Sequence, residues 1–286
     1  MSGGGLNICI KIELGEYELN RLIKPSIFEF ENAMKEAFEY KIYCYANTKR
    51  FVLEDLKNKY PNVKIEIQSE NEINFTSEIS EIETFKNLYS PTYIESNSKK
   101  LNLFRRDWKA ESVPPGLNPS LAYILCMIAD CKEDDILCGP FCGAGTIPIT
   151  SLKYFNVKRV LCSDISGSAV EKSLKNFKSA NILKERYKVF RSDISNVKFN
   201  KQNVDKIVSN LPFGIRAGDH KKNVKAYEDF EIFANKVLRK KGKIVVLTQE
   251  KVLLRKVFKK ENWKVKSITS IDEGGLYPEV FEIFRK

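Results

Sequence analysis

The stretch Ile136-Leu137-Cys138-Gly139-Pro140-Phe141-Cys142-Gly143-Ala144-Gly145-Thr146 decides the fold of this chain. Its apolar beginning predicts a buried strand, its glycines predict a tight turn, and a helix is expected from Thr146. Small residues at such a turn let the backbone approach a ligand and direct helix N–H groups at a negatively charged group. No lysine follows Gly145 and no Gly-x-Gly-x-x-Gly is formed, which argues against nucleoside triphosphate and nicotinamide sites.

Strands alternate with helices on both sides of this stretch, from residue 119 to the C-terminus. That alternation predicts an α/β fold with a mostly parallel sheet covered by helices on both faces. The last two expected strands, Trp263 to Ile271 and Val280 to Arg285, have only a short loop around Gly274-Gly275 between them. They therefore predict an antiparallel hairpin at one edge of a seven-stranded sheet, which is typical of the Rossmann-like class I methyltransferase fold.

The N-terminal part has a different pattern and is predicted to be a separate domain. Residues 1–95 mix short strand-like and helix-like segments, including an expected helix from Ser26 to Tyr40 and a possible helix from Ser80 to Tyr89. This mixture predicts a small α+β domain. A polar, basic linker is expected at 96–118 and the main α/β domain at 119–286.

Charge is distributed unevenly between these parts. The 286 residues carry a net charge of +11, but residues 1–95 hold 11 basic and 16 acidic residues, and the rest holds 37 basic and 21 acidic ones. The excess of positive charge on the C-terminal part indicates binding to a polyanion. A lysine-rich solvated surface would give the same counts, so charge alone favours neither explanation.

The seven cysteines and the absence of a long apolar run bear on the compartment. The cysteines are odd in number and lie mostly within apolar segments, which is typical of a reducing compartment. No run approaches the ~20 apolar residues of a bilayer span, and the N-terminus lacks a signal-peptide pattern. We therefore expect a cytoplasmic protein without a membrane partner.

Acidic residues follow the next two expected strands. A carboxylate at the end of the second strand, Asp164, is placed to accept hydrogen bonds from both ribose hydroxyls of a nucleoside, with Ile165 against the adenine face. Asp193 follows the third strand and is expected to accept from the adenine amino group. Each acid alone is more often a helix cap, but in this order after the glycine loop they indicate S-adenosylmethionine, with its carboxylate end at the loop.

The fourth expected strand ends in Asn210-Leu211-Pro212-Phe213-Gly214. An exocyclic amine on a base is a poor nucleophile, so an enzyme must localise its lone pair with acceptors, here the side chain of Asn210 and the carbonyl of Leu211. Pro212 would fix the turn and Phe213 would stack on the base. The same residues also suit a simple strand-ending turn, but their position downstream of the glycine loop favours the catalytic interpretation.

These motifs resemble the THUMP-related RNA methylases, which include tRNA and rRNA guanine-N2 methyltransferases. The resemblance rests on residues 139–146, on Asn210 to Gly214, and on the segment from Leu103 to Arg106 through Leu117 to Ala122. It implies a class I fold, S-adenosylmethionine as donor, and methylation of guanine N2 in structured RNA, with tRNA favoured over rRNA. The implied cofactor-binding residues are Pro119, Ser120, Phe141, Cys142, Gly143, Ala144, Gly145, Thr146, Asp164, Ile165, Asp193 and Ile194.

The chain departs from that family at two places. Gly139 stands where the family usually carries Asp, and the acidic N-terminal part is short for a ferredoxin-like unit plus a complete THUMP domain, so it is expected to be one of the two in reduced form or another kind of domain. RNA binding is therefore expected to depend on a set of basic residues and to weaken with salt. That set is Lys99, Lys100, Arg105, Arg106, Arg216, Lys221 and Lys222.

Other functions remain open on the sequence alone. The active-site motif also suits N6-adenine methylation of RNA or DNA and methylation of a glutamine amide in a protein. Because Gly139 departs from the family's usual Asp, the possibility of a catalytically silent RNA-binding subunit with the same fold also remains open. The single histidine, His220, is expected in a surface loop, and no cysteine or histidine pairs have the spacing of a metal site. No metal is therefore expected.

Overall fold

A computed structural model describes residues 36–114, 116–197, 203–214, 219–259, 262–273 and 275–286. They form two sheets, one of five strands and one of seven. Most of the helix predicted from Ser26 to Tyr40 lies outside the described residues. None of the helices in the described ranges is both long and apolar enough to cross a bilayer.

The smaller sheet has the strand order β2-β3-β1-β4-β5, and every neighbouring pair is antiparallel. Its elements are β1 (Phe38–Tyr43), helix α1 (Lys49–Lys59), β2 (Lys64–Gln68), β3 (Glu72–Ser77), a 3-10 turn (Ile82–Asn87), β4 (Tyr93–Ser96) and β5 (Lys99–Asn102). One face packs against α1 and the 3-10 turn, with Ile42, Leu56, Phe75 and Phe85 at the centre of the core. The N-terminal part is therefore α+β, as predicted.

Two expectations for this part were wrong in detail. Residues 38–40 belong to strand β1 rather than to a helix, because Tyr40 and Ile42 alternate into the core with a period of two. The segment expected as a helix from Ser80 to Tyr89 forms only the 3-10 turn Ile82–Asn87, in which Ile82 and Phe85 face the core. Strand β3 has the same period of two and was missed by the sequence analysis.

The larger sheet has the order β11-β12-β10-β9-β6-β7-β8. Its strands are β6 (Ile136–Pro140), β7 (Arg159–Asp164), β8 (Tyr187–Arg191), β9 (Val204–Asn210), β10 (Leu238–Thr248), β11 (Trp263–Ser270) and β12 (Glu279–Arg285). Strands β6 to β10 are parallel, whereas β12 pairs antiparallel with both β10 and β11. The predicted hairpin at one edge is confirmed.

Helices cover both faces of this sheet. They are α2 (Pro119–Ile128), α3 (Thr146–Tyr154), α4 (Gly167–Ser179), α5 (Asp219–Val237) and α6 (Lys251–Val257). Neighbouring strand residues enter opposite cores: Leu137 packs with α2 to α4, and Cys138 with α5 and α6. Burial on both faces explains why the parallel strands are almost continuously apolar.

The two sheets are joined through a polar junction that includes the helix α1. Asn47, which precedes α1, accepts from the Thr269 hydroxyl (2.9 Å) and donates to the Ser270 carbonyl (3.1 Å) at the end of β11. Arg50 in α1 donates to the carbonyl of Ile268 (3.0 Å). The strand that leads into the terminal hairpin loop is therefore held by the N-terminal part.

Candidate active site

A cavity of about 850 Å³ opens at the carboxyl edge of the parallel strands. From β6 the chain runs outward through β7 to β8 and then returns to β9 on the other side of β6, so this edge is a topological switch point, where open α/β sheets bind ligands. The cavity is lined by the loop after β6, the ends of β7, β8 and β9, the segment before α2, and the loop between β11 and β12.

The glycine loop after β6 is held in a fixed shape by the end of β7. The N–H of Cys142 donates to the Ser163 carbonyl (2.9 Å), and the N–H of Gly143 donates to the Asp164 carboxylate (2.8 Å). Gly145 has a φ of +80°, and a Cβ there would lie 2.6 Å from the Ser173 hydroxyl oxygen. Only glycine fits at this position, and the turn delivers the chain into α3 directly beside the cavity.

A buried asparagine fastens the segment before α2 to the same loop. The Asn176 amide nitrogen donates to the carbonyls of Ala144 and Glu111 (both 2.9 Å), and its oxygen accepts from the Glu111 N–H (2.9 Å). This two-way bond brings the segment around Lys109 to Leu117 over the glycine loop, where it closes one side of the cavity.

Gly139, where the resembled family usually carries Asp, is buried in β6. A Cβ at this position would lie 3.0 Å from the Cγ of Pro148 in α3, tighter than ordinary van der Waals contact. The missing side chain is therefore matched by the proline ring that packs over it. Gly139 and Pro148 both line the cavity, so the replacement of the family's usual Asp by glycine at position 139 changes the cavity wall itself.

The acids predicted after the second and third strands both reach the cavity. The Asp164 carboxylate accepts from the backbone N–H groups of Gly143 and Ser166 (2.9 Å), and its oxygens retain further acceptor capacity. Asp193 caps the 3-10 turn Ile194–Asn196, and hydrogen bonds from Ser195 lower the pKa of its carboxyl. Ile165 lines the cavity with 65% of its surface exposed.

Asn210 is the last residue of β9 and lines the cavity. Its Oδ1 is buried and accepts no hydrogen bond from the described residues. The N–H of Leu211 donates to the Leu247 carbonyl (3.0 Å), while the described residues supply no donor to the Leu211 carbonyl. Asn210 and Leu211, both in the cavity wall, therefore each carry an acceptor without a partner from the described residues.

Helix α5 supports the turn that follows Asn210. The Pro212 carbonyl accepts from the Tyr227 hydroxyl (3.0 Å) and from the Asn223 amide (3.2 Å), and Tyr227 also bonds Thr248 (2.5 Å). These hydrogen bonds from Tyr227 and Asn223 to the Pro212 carbonyl were not predicted from the sequence. The spacing of Asn223 and Tyr227, four apart on one helix face, is the signal that was available.

Charged residues outside the motifs also line the cavity, among them Lys109 and Glu273. Burial, followed by the charge of Arg106, lowers the pKa of the Lys109 ammonium to about 8, and this group donates to the Leu117 carbonyl (2.8 Å). Burial raises the pKa of the Glu273 carboxyl in the loop between β11 and β12. Nothing in the local sequence distinguished either residue from surface charges.

Some of the predicted cofactor-binding residues lie elsewhere. The cavity is lined by Phe141, Cys142, Gly143, Ala144, Thr146, Asp164, Ile165, Asp193 and Ile194. Pro119, Ser120 and Gly145 are not in its wall. Ser120 is fully buried and donates its hydroxyl to the Pro91 carbonyl (2.6 Å). It therefore connects α2 to the N-terminal part.

The predicted RNA-binding residues are also dispersed. Lys99 and Lys100 lie exposed on β5, and the Lys100 ammonium lies 4.7 Å and 4.6 Å from the ring centroids of Tyr43 and Tyr93. Arg105 is exposed, and Lys222 lies at the cavity. Arg106 instead donates to the Tyr89 carbonyl (2.9 Å) within the protein. Arg216 and the side chain of Lys221 lie outside the described residues, as does the side chain of His220.

Two cysteines of strands β6 and β7 are fully buried, and burial raises the pKa of the Cys138 and Cys162 thiols well above their ordinary range. Cys142 lies in the cavity wall and is half-buried. Among the described residues, no three histidine, cysteine, aspartate or glutamate side chains gather into a metal-binding group.

A parallel sheet with a terminal antiparallel hairpin, a glycine loop after the first strand and Asn-Leu-Pro-Phe after the fourth define the class I methyltransferase fold. Within that class, the family described as UPF0020, RMKL-like methyltransferase domain, matches residues 106–279. The chain belongs to this family. The match confirms the resemblance to RNA methylases and the predicted fold class.

Curated relatives are similar over about 60% of the chain. The chain is 25% identical over 218 residues to a tRNA (guanine(6)-N2)-methyltransferase of Methanocaldococcus jannaschii, covering 63% of this chain and 56% of that protein. It is 27% identical over 186 residues to the mouse tRNA (guanine(6)-N(2))-methyltransferase THUMP3, and the alignment covers 60% of this chain and 37% of that protein. The chain therefore spans between about a third and just over half the length of these relatives.

Solved structures share the fold across most of the chain. TrmN from Thermus thermophilus superposes with a TM-score of 0.73 at 16% identity, covering 88% of this chain and 100% of that one. The structure of SMU.472 complexed with SAH gives a TM-score of 0.70 at 14% identity, and the superposition covers 88% of this chain and 99% of that one. These coverages extend beyond the catalytic sheet, so the shared fold includes residues of the N-terminal part.

Proposed function

We propose that this chain transfers a methyl group from S-adenosylmethionine to N2 of a guanine in tRNA. The observation that carries the proposal is the buried Oδ1 of Asn210, a residue in the wall of the cavity beside the glycine loop; this oxygen has no partner among the described residues. A buried acceptor without a donor costs free energy, so such a group is expected to receive a donor from a ligand.

The chemistry requires acceptors rather than a strong base. The lone pair of the guanine amino group is delocalised into the ring. Hydrogen bonds from its two N–H groups to Asn210 Oδ1 and the Leu211 carbonyl would hold the amine in place and direct that pair at the incoming methyl group. As the new N–C bond forms, the bond between the methyl carbon and the donor sulfur would break, and the extra proton of the amine would pass to solvent. Tyr227 and Asn223 hold the Pro212 carbonyl and so fix the direction of both acceptors.

The residues present fit S-adenosylmethionine, which supplies an electrophilic methyl group on its sulfonium when bound. A cavity of this volume is within the range of cofactor sites. Asp164 would accept from the ribose hydroxyls, Ile165 would cover the adenine face, and Asp193 would accept from the adenine amine. The partial positive charge at the start of α3 would favour the carboxylate end.

The tRNA part of the proposal is supported by the names of the relatives and by the basic surface. Those names specify guanine 6 of tRNA, which makes guanine 6 the first position to examine. Lys99, Lys100 and Arg105 are exposed on or just after β5, and Lys100 lies over two tyrosine rings. We extend the proposal to the N-terminal part, predicted as residues 1–95, as the unit that positions the RNA, with 96–118 as linker and 119–286 as catalytic domain.

The test is transfer of radiolabelled methyl from S-adenosylmethionine to an unmodified tRNA transcript, followed by nucleoside digestion. We expect label in N2-methylguanosine. Asn210→Ala should lower the rate on the order of 100-fold, because the amine loses one positioning acceptor, while cofactor affinity stays unchanged. Asn235→Ala, an exposed asparagine of α5 outside the cavity wall, is the matched control and should keep the full rate.

The remaining outcomes each identify an alternative. Label in N6-methyladenosine would assign the site to adenine. Saturable cofactor binding without transfer to tRNA would indicate another substrate. Absence of saturable cofactor binding would indicate a silent RNA-binding subunit, the alternative to which Gly139 points.

A further inference from the structure

We propose that Glu273 selects guanine by accepting a hydrogen bond from N1–H of the target base. The inference rests on the proposed function and adds the residue that would distinguish guanine from other bases with an amino group. None of the sequence motifs contains Glu273, and its place in the cavity follows only from the fold.

The loop that carries Glu273 lies at the same sheet edge as Asn210. Strand β12 runs antiparallel to β10 and pairs Glu279 with Thr248, whereas parallel β9 and β10 pair Asn210 with Leu247. The chain between β11 and β12 therefore turns beside the carboxyl ends of the parallel strands. Glu273 and Asn210 both line the same cavity, which has a volume of about 850 Å³.

The order of the strands separates the two ends of the cavity. The glycine loop follows β6 and Asp164 ends β7, on one side of Asn210. The hairpin of β11 and β12 lies on the opposite side, beyond β10. A methyl donor held by β6 and β7 would therefore approach Asn210 from one side, and the base would occupy the side of the hairpin, next to Glu273.

Hydrogen bonds join described residues on the two sides of this loop. The Ile271 N–H donates to the Pro278 carbonyl (2.8 Å) and the Glu273 N–H to the Leu276 carbonyl (2.9 Å), while Gly275 takes a φ of +95°. Asn47 of the N-terminal part bonds Thr269 and Ser270 just before the loop. A carboxyl placed by this turn keeps a defined position relative to Asn210.

The carboxyl lies near Tyr45, whose pKa is raised by burial and by the Glu273 charge. Burial is the cause that raises the pKa of Glu273, and the described part of the chain provides neither a hydrogen-bond donor nor a cation for its oxygens. A partly buried carboxylate without donors is costly, so a donor from a ligand would be favourable. Guanine offers one, since N1–H lies beside the N2 amine on the same edge of the base, whereas adenine has an acceptor at N1 next to its amine.

The test compares guanine with 2-aminopurine, which keeps the N2 amine but has an acceptor at N1. Two tRNA transcripts are assembled with one or the other base at the position methylated by the wild-type protein, and kcat/KM is measured on each. The wild type should prefer guanine by about 100-fold, because 2-aminopurine loses a charge-assisted bond and presents a lone pair to the carboxylate.

Glu273→Gln should narrow that preference to within about 10-fold, since an amide can accept from guanine N1–H or donate to N1 of 2-aminopurine. Glu273→Asp retains the carboxylate and should retain the preference for guanine even if both rates fall. Asp272→Asn, a neighbouring exposed acid outside the cavity wall, is the matched control and should leave the ratio unchanged. A purely structural role for Glu273 would change both rates together and leave their ratio intact.

The outcomes separate this inference from the proposed function. A wild type that methylates both RNAs equally well keeps the proposed function and overturns the role of Glu273. If Glu273→Gln leaves the ratio of kcat/KM between the guanine and 2-aminopurine RNAs unchanged, the role of Glu273 is also overturned while the proposed function is kept. A wild type that methylates neither RNA overturns both.

Discussion

Lys109 is a cavity residue whose effect on stability depends on pH. Burial gives its ammonium a pKa of about 8 in the fold, against about 10.4 for an ordinary lysine. Between these values the unfolded chain binds more protons than the fold does, so the contribution of Lys109 to stability rises as the pH rises through this window. Below about pH 8 the buried charge is fully present and its cost is greatest.

We therefore expect wild type to gain stability relative to Lys109→Met as the pH is raised from about 7 to about 9.5. The measurement is the free energy of unfolding in urea at both pH values. Lys178→Met, at an exposed position of α4, serves as the control and should follow the wild type at both. Parallel profiles for wild type and Lys109→Met would show that the ammonium is solvated.

The motif residues were predictable one by one, whereas the isolated charges were not. Asp164 and Asn210 stand at the ends of apolar strands, so the sequence places both at the carboxyl edge of a parallel sheet. Lys109 and Glu273 lie outside any strand-end motif. Their burial results from loops that fold over the cavity, and no local pattern records it.

The turn from β6 into α3 is the element on which the cavity depends. Gly143 and Gly145 both have positive φ angles, of +53° and +80°. A Cβ at Gly143 would meet nothing within 4 Å, whereas one at Gly145 would lie 2.6 Å from the Ser173 hydroxyl oxygen. Alanine at Gly143 would therefore cost only the free energy of a left-handed backbone, whereas alanine at Gly145 would add the free energy of a steric clash.

Gly143→Ala should lower the free energy of unfolding by about 1–2 kcal/mol, the usual cost of a left-handed backbone with a side chain. Gly145→Ala should lower it by about 2–4 kcal/mol, because overpacking against α4 is added. Urea unfolding of both variants checks the difference. Adding Ser173→Ala to Gly145→Ala should restore part of the loss, and equal losses for the two single variants would contradict the geometry.

Elements were predicted well where burial on both sides makes a strand continuously apolar or where a helix follows a glycine turn. Prediction was incomplete in the N-terminal part, where some short strands with one polar face resemble helices or loops. Strand β3 alternates buried Ile73 and Phe75 with polar residues, and β5 lies within a segment predicted as linker. Pairing with neighbouring strands, rather than local propensity, determines such segments.

The two sheets are connected through Asp55, a buried acid in α1. One carboxylate oxygen accepts from the N–H groups of Tyr89 and Ser90 (both 3.0 Å) and from the Ser90 hydroxyl (2.8 Å). The other pairs with the Lys59 ammonium (2.7 Å) and accepts from the Tyr123 hydroxyl (3.2 Å) of α2. Asp55 therefore joins α1 to the Tyr89-Ser90 segment of the N-terminal part and to α2, which packs on the larger sheet.

Asp55→Asn should destabilise the protein by about 3–5 kcal/mol, because it leaves the partly buried Lys59 ammonium without its anion. Adding Lys59→Met should recover part of this loss. Asp130→Asn removes an ion pair with Lys132 in which both side chains are largely exposed, and should change stability by less than about 1 kcal/mol. Urea unfolding measures all three. A small effect of Asp55→Asn alone would show that the junction contributes little.

The sequence by itself determined the class of the fold and the motif residues of the cavity, because strand-helix alternation, glycine turns and strand-end polar residues are local patterns. The tertiary structure decided which residues from distant segments meet: Asn176 at the glycine loop, Tyr227 beneath Pro212, and Glu273 across the cavity from Asp164. These contacts join residues far apart in the chain. The strand order, which inserts β12 between β10 and β11, fixes them, and it cannot be read from the spacing of residues along the sequence.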